Sequence, residues 1–291
     1  MTAKPTLLGV FAHPDDESFG PGGTLAKYAA EGADVHVIIA TDGAAGSVEE
    51  SHPMPDGRSL AQVRGDELAN AAVILGLTSV WNLPYRDSGM RGSPDNQHPQ
   101  ALLQQPIQEL VAELVGFIRR LRPQVILTHG PFGGYGHPDH IRVCEAVTAA
   151  FYMAGVRDPA LGRNGSGLAP YAPQKLYYTA FDKGFLRWIV RLMPLFGRDP
   201  SRFGLNQDID LREIVSWHTP IHARIDTRAY IPRKEAASRA HASQYSGDPS
   251  FLRALPNFLR LRILGVDSFL RAYPAPTGSV ERDLFAGVRL A

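Results

Sequence analysis

The run Thr6 to Phe11 is six residues long, almost wholly apolar, and stops at a proline-bearing turn. A strand so short and unbroken needs cover on both faces, which is the condition of a parallel sheet between helices. Three more runs repeat it: Val35–Ala40, Ser79–Leu83 and Gln124–Thr128. Segments of helical spacing follow, at about Thr24–Glu31 (closed by Gly32), Ser59–Leu75, Ile107–Leu121 and Pro138–Met153. This alternation predicts an α/β fold, a Rossmann-like three-layer sandwich with a mostly parallel sheet. Right-handed crossovers then bring the strand C-termini and their loops to one edge, where open sheets hold ligands. Beyond residue 155 the pattern loosens. Residues 157–174 read as a surface loop, Lys175–Phe181 and Pro220–Asp226 as strands, and Pro232–Gln244 as a helix. The expectation is one domain over 1–291, with a core over 1–155 and a C-terminal elaboration or cap over 156–291.

Composition narrows the function classes. A net charge of +1 provides no global field to recruit nucleic acid or an anionic membrane. Cys144 is the one cysteine, which excludes a disulfide framework and a Cys-rich zinc module. No apolar run reaches membrane-spanning length, and the first is too short for a signal-peptide core. A soluble, cytoplasmic protein is expected, with homo-oligomers open to it.

The histidines carry the functional signal. Ala12-His13-Pro14-Asp15-Asp16-Glu17 and Gly136-His137-Pro138-Asp139-His140 each follow a predicted strand, and each packs imidazole and carboxylate into a few residues. A zinc site needs imidazole nitrogens and a carboxylate oxygen converging at about 2.0–2.2 Å, with a position left open if the metal is catalytic. His13 and Asp16 can meet on one side of a tight turn, and His140 can supply a third ligand across the sheet edge. Asp15 then points toward whatever the metal holds. One such cluster can be an ordinary strand-end turn; two on one edge point to a site.

The two motifs together resemble the PIG-L/LmbE-like zinc-dependent deacetylases, which remove acetyl from N-acetylglucosamine units joined to an aglycone. The resemblance runs through residues 6–153 and thins to a patch at Lys234–Gln244. Gly133-Gly134-Tyr135, Arg64 and Arg86-Asp87-Ser88-Gly89-Met90 are similar to the thiol-pathway branch, which acts on a GlcNAc-inositol precursor. The resemblance implies one zinc per chain on His13, Asp16 and His140, with Fe2+ able to replace it, and Asp15 as general base. It implies His137 as oxyanion donor and acid, oriented by Asp139, with Tyr135 near the scissile amide. Arg64 and Asp87 match positions that hold sugar hydroxyls. Gly20 and Pro21 depart from that branch, which leaves the aglycone open. An amidase of thiol S-conjugates, a tailoring deacetylase of natural products and an idle sugar- or nucleotide-binding module are the alternatives.

Other features read more plainly. Cys144 beside Val143 and Val147 reads as core. Gly130 to Gly136 lacks the spacing and position of a dinucleotide loop. His36 lies within a strand and His129 ends one; both read as structural histidines, with His129 the nearer of the two to a supporting place behind a ligand. His241 either lines the site or bonds within the fold. Phe251–Ile263 and Trp188–Phe196 read as cap or subunit contact rather than membrane helix.

Overall fold

The computed structural model describes residues 4–48, 54–157, 168–203, 209–245, 247, 261 and 264–290. Seven strands form one sheet: β1 (Thr6–Phe11), β2 (Asp34–Thr41), β3 (Ser79–Tyr85), β4 (Val125–Thr128), β5 (Lys175–Ala180), β6 (Ala223–Asp226) and β7 (Val266–Tyr273), in the order β3-β2-β1-β4-β5-β7-β6. The first five run parallel, and β7 pairs antiparallel with both β5 and β6. The sequence expectation of a mostly parallel α/β sheet is met. β7 was not foreseen, and the expected strand at Pro220–Asp226 shortens to Ala223–Asp226. The segment Phe251–Ile263 lies almost wholly outside the described residues, as does most of 157–174.

Alternate residues of the strands feed two cores, as the period of two requires. Leu8, Val10, Ile38 and Ile126 pack under α4 (Ile107–Leu121) and α6 (Pro138–Met153), through Leu114, Ile118, Val143 and Val147. Leu7, Phe11, Val35, Val37 and Leu127 face the other way. They are covered by α2 (Gly22–Ala30), α3 (Leu60–Leu75) and α9 (Ile231–Ala240), through Leu25, Leu68, Leu75 and Ala237. Local signals set the ends of α3: Ser59 and Gln62 form a capping box, and Gly76 closes it in the left-handed region.

Strand order fixes where a ligand can sit. From β1 the chain winds outward through β2 and β3, then returns to lay β4 on the other side of β1. β1 and β4 therefore flank the switch point, and their C-terminal loops part there to leave a crevice. Both histidine motifs follow these two strands.

The second half continues the sheet and is tied into it by a buried charge cluster. Glu281 accepts from Lys175 Nζ at 2.7 Å, Tyr177 Oη at 2.6 Å and Arg271 Nη1 at 2.7 Å. Lys175 and Arg271 are almost fully buried, so removing Glu281 leaves two cations without their carboxylate. Glu281→Ala is expected to cost about 3–5 kcal/mol in urea unfolding. A midpoint equal to that of the wild type would show the cluster to be dispensable.

Candidate metal centre and active site

The turn after β1 is shaped by its own side chains. His13 donates its backbone N–H to Asp16 Oδ2 at 2.8 Å, curling the loop so that the two side chains face the same point. Asp15 caps the short helix α1 (Asp16–Phe19) at φ 134°, a conformation that non-glycine residues adopt only under constraint. Glu17 supplies that constraint: fully buried, it accepts the Asp15 backbone N–H at 3.0 Å and the Ser18 hydroxyl at 2.6 Å. His241, also fully buried, reaches Glu17 Oε1 at 2.7 Å. Although burial opposes charge on His241, Glu17 and Asp15 hold its pKa above the usual value.

The second motif reads as a helix start. His137 is the N-cap of α6, its Nδ1 accepting the Asp139 N–H at 3.2 Å, and Pro138 takes the first helical position. Asp139 and His140 then lie in the first turn, buried, and point back to β1.

Donor atoms from both loops converge. His13 Nδ1 lies 3.1 Å from His140 Nε2 and 3.5 Å from Asp16 Oδ2, and His140 Nε2 lies 3.3 Å from Asp16 Oδ1. Four ligands at tetrahedral zinc distances stand about 3.3 Å apart, so this spacing suits such an ion. Overlapping sets bring His137 beside His13 and His140, His129 beside Asp16 and His140, and Asp87 with Asp139 beside His13. His13 Nε2 faces Asp87 Oδ1 at 3.3 Å and Asp139 Oδ2 at 3.4 Å. Carboxylates behind a ligating imidazole fix its tautomer and leave Nδ1 free for the metal. His129 accepts the Ala12 N–H at 2.9 Å and stacks on His140 with centroids 3.8 Å apart.

The charges argue for a cation. Burial opposes ionisation of Asp16 and Asp87, yet His140 and His129 hold Asp16, and His13 holds Asp87, well below the carboxylate range. Burial also resists charge on His13, but Asp87, Asp139 and Asp16 raise its pKa well above the imidazole value. Asp15 goes the other way: burial pushes it up to about 6 against the pull of Arg64. Burial, followed by His13 and His140, pushes His137 down to about 2 and His129, by burial and His140, to about 4. His137 is therefore a neutral ring whose Nδ1 is taken, leaving Nε2–H free to donate.

Several expected residues have partners that the sequence did not suggest. Arg64 and Asp87 do not pair. Arg64, 3% exposed, binds Asp15 Oδ2 at 3.0 Å, Pro14 O at 2.6 Å and Gly43 O at 2.8 Å. Its guanidinium fills the space where a Cβ on Gly43 (φ +68°) or Gly46 would stand, 2.5 and 2.6 Å away, so a side chain at either would displace it, and Gly43 also holds the left-handed backbone that favours glycine. Asp87 is turned to His13 and to the Gly89 N–H. Asp139 meets His137 through its backbone N–H, while its carboxylate takes the Ser88 N–H at 2.9 Å. Tyr135 stands edge-on to His137 and His140, with centroids 5.9 and 5.3 Å away. The Glu17–His241 pair was missed as a pair; its one sequence signal was a histidine in the patch Lys234–Gln244.

With this geometry in hand, known proteins decide the family. A family model described as PIG-L, GlcNAc-PI de-N-acetylase, matches residues 8–151. A 1D-myo-inositol 2-acetamido-2-deoxy-alpha-D-glucopyranoside deacetylase of Acidothermus cellulolyticus is 38% identical, over 97% of this chain and 95% of the relative. The chain belongs to the PIG-L family. It is accordingly a de-N-acetylase, a hydrolase of the N-acetyl amide, and metal-dependent as that family is. The N,N'-diacetylchitobiose deacetylase of Pyrococcus horikoshii shares the fold, with a TM-score of 0.62, 22% identity and coverage of 92% of this chain and 84% of that one. So does GalB, a 4-carboxy-2-hydroxymuconate hydratase of Pseudomonas putida, with a TM-score of 0.59, 17% identity and 94% and 99% coverage. No helix among the described residues is long and apolar enough to cross a membrane.

Two variant sets test this geometry. His13→Ala and His140→Ala are expected to fold yet bind little zinc by elemental analysis; full occupancy in either removes that residue from the ligand set. His241→Ala, which strands the buried Glu17 carboxylate, is expected to lose about 3–5 kcal/mol of stability. It should keep wild-type zinc content and turn over at least about tenfold more slowly. Unchanged turnover would mean that Asp15 holds its backbone without Glu17 and His241.

Proposed function

We propose that the chain is a zinc-dependent de-N-acetylase of a small GlcNAc glycoside. The GlcNAc-inositol compound in its relatives' names, a precursor of a low-molecular-weight thiol, is the substrate class it fits best. The observation that carries this reading is Asp15, a constrained carboxylate with a raised pKa beside a convergent His-Asp-His donor set. A binding module has no use for such a base.

His13 Nδ1, Asp16 and His140 Nε2 would hold the ion, with Asp87 and Asp139 backing His13. Bound there, zinc supplies a Lewis acid that polarises the acetamide carbonyl and makes water more acidic. Asp15 takes a proton from the attacking water as its oxygen bonds to the carbonyl carbon. Arg64, bonded to one Asp15 oxygen, aims the other at that water. His137 donates Nε2–H to the oxygen on which charge develops, a contact worth on the order of 3–4 kcal/mol in such sites. As the C–N bond breaks, the leaving amine takes back the proton that Asp15 holds. A carboxyl with a pKa near neutrality suits both transfers. The acid part expected of His137 fits less well, because burial keeps that ring neutral.

Acetate release from GlcNAc-inositol by the zinc-loaded protein is the direct test, and absence of release would overturn the substrate. Asp15→Asn is expected to keep zinc while losing at least about 10²-fold in kcat. Near-normal turnover would assign the base elsewhere. Activity needs ionised Asp15, so kcat/KM falls as pH drops through its pKa. Arg64 lowers that pKa, so Arg64→Ala should move the acid limb to higher pH. An unmoved limb in the pH profile would show that Arg64 does not govern the base.

A further inference from the structure

Between β5 and β6 the chain leaves the sheet to build a small lobe. α7 (Lys183–Leu192) and α8 (Leu211–Ser216) close on a core of their own, in which Leu186, Val190 and Met193 meet Leu211 and Ile214. Residues 186, 190 and 193 recur at helical spacing, so they form the stripe that α7 turns inward. A surface helix is then polar on its opposite face. This one is not. Trp188 is 63% exposed and Leu192, one turn on, 45%; Leu195 and Phe196, in the 3-10 turn that ends the helix, are 78% exposed each. Apolar side chains grouped in this way mark an interaction surface, where single ones would be ordinary. From sequence the segment Trp188–Phe196 reads as cap or subunit contact; in the structure its large side chains lie open, and the charge around them decides between occupants.

That charge is positive. Arg187, Arg191, Arg198 and Arg202 are all exposed, and the acids between Phe181 and Phe203 are Asp182 and Asp199 alone. Both are engaged: Asp182 accepts from Arg224 at 2.9 Å, and Asp199 from the Ser201 N–H at 2.8 Å and hydroxyl at 2.6 Å. Arg191 stands over the Trp188 ring, 5.9 Å from its centroid, so indole and guanidinium face solvent together. A second copy docked here about a two-fold axis would set these arginines against their own kind. An anionic lipid surface gives them phosphates instead, at the depth where indole rings rest, and its acyl layer takes the apolar ends. The net charge of +1 does not oppose this, because attraction to a surface falls off within a Debye length and the local cluster is what counts. Topology puts the lobe beside the metal centre. β5 runs parallel to β4 and β1, so α7 leaves from the edge that carries both histidine motifs.

We infer that the Trp188–Phe196 face is a docking surface for an anionic lipid bilayer, on which the protein rests without crossing it. The inference goes beyond the de-N-acetylase reading and stands or falls apart from it. The probes are vesicles of phosphatidylcholine, alone or with about 30% phosphatidylglycerol, sedimented with the zinc-loaded full chain. Binding to the anionic vesicles should exceed binding to the neutral ones at least about tenfold, and about 0.5 M salt should weaken it. Phe196→Asp, and separately Arg191→Glu combined with Arg198→Glu, should each lower it at least about tenfold. Zinc content and melting temperature should stay at wild-type values in both, since these side chains lie outside the cores and the metal centre. No binding to the anionic vesicles, or equal binding to the neutral ones, overturns the inference whatever the variants do. Binding that survives in both variants places the lipid contact elsewhere and overturns this face as its seat. A dimer in analytical ultracentrifugation that Phe196→Asp dissolves, without vesicle binding, makes the face a subunit contact and overturns lipid docking.

Discussion

Four carboxylates, of Asp15, Asp16, Asp87 and Asp139, crowd around His13 and His140 at the carboxyl ends of β1 and β4, where little water reaches them. Buried charge is tolerated only when it is paired. Arg64 neutralises one of these acids, and the N-terminus of α6 helps another. The imidazoles take up part of the rest, which is why His13 is driven toward protonation. A divalent cation among the same atoms replaces those protons and completes the balance. Once the site is organised around a cation, the constrained turn, the strand order and the glycines at 43 and 46 become parts of one arrangement.

Within that arrangement, Asp15 and Asp16 are neighbours in sequence with opposite surroundings. Asp16 faces His140 and His129 and stays ionised, as the ligand role proposed for it requires. Asp15 is turned away by its unusual φ, meets Arg64 and sits near the pKa of a usable base. The backbone distortion separates the two carboxylates, and Glu17 with His241 holds the distortion in place.

How much of this was legible in the sequence follows from how local each feature is. Strands β1 to β4 and their helices could be read because period, caps and glycine stops are written within a dozen residues. Both histidine motifs could be read because each is contiguous, and strand ends in a parallel sheet share an edge. β7 could not, because its pairing with β5 joins Tyr178 to Leu270 and similar residues about ninety positions apart. The partners of Arg64 and Asp87 also escaped. Donor and acceptor types say that both can hold sugar hydroxyls, but not that Asp15 and His13 reach them first.

The motifs lie in the first half of the chain, yet the site depends on the second. His241, just beyond α9, secures Glu17 under Asp15. Ser243 bonds Glu67 on α3, the helix that carries Arg64. Lys234 holds Gly20 O, and with it the turn between α1 and α2. Each contact comes from α9 or its end and reaches a different segment around Asp15. They matter because a turn held at φ 134° relaxes unless its surroundings over-determine it. The α9 segment is therefore the clamp on the strained Asp15 turn; it packs on α2 and α3, and Lys234 ties it to Asp267 of β7.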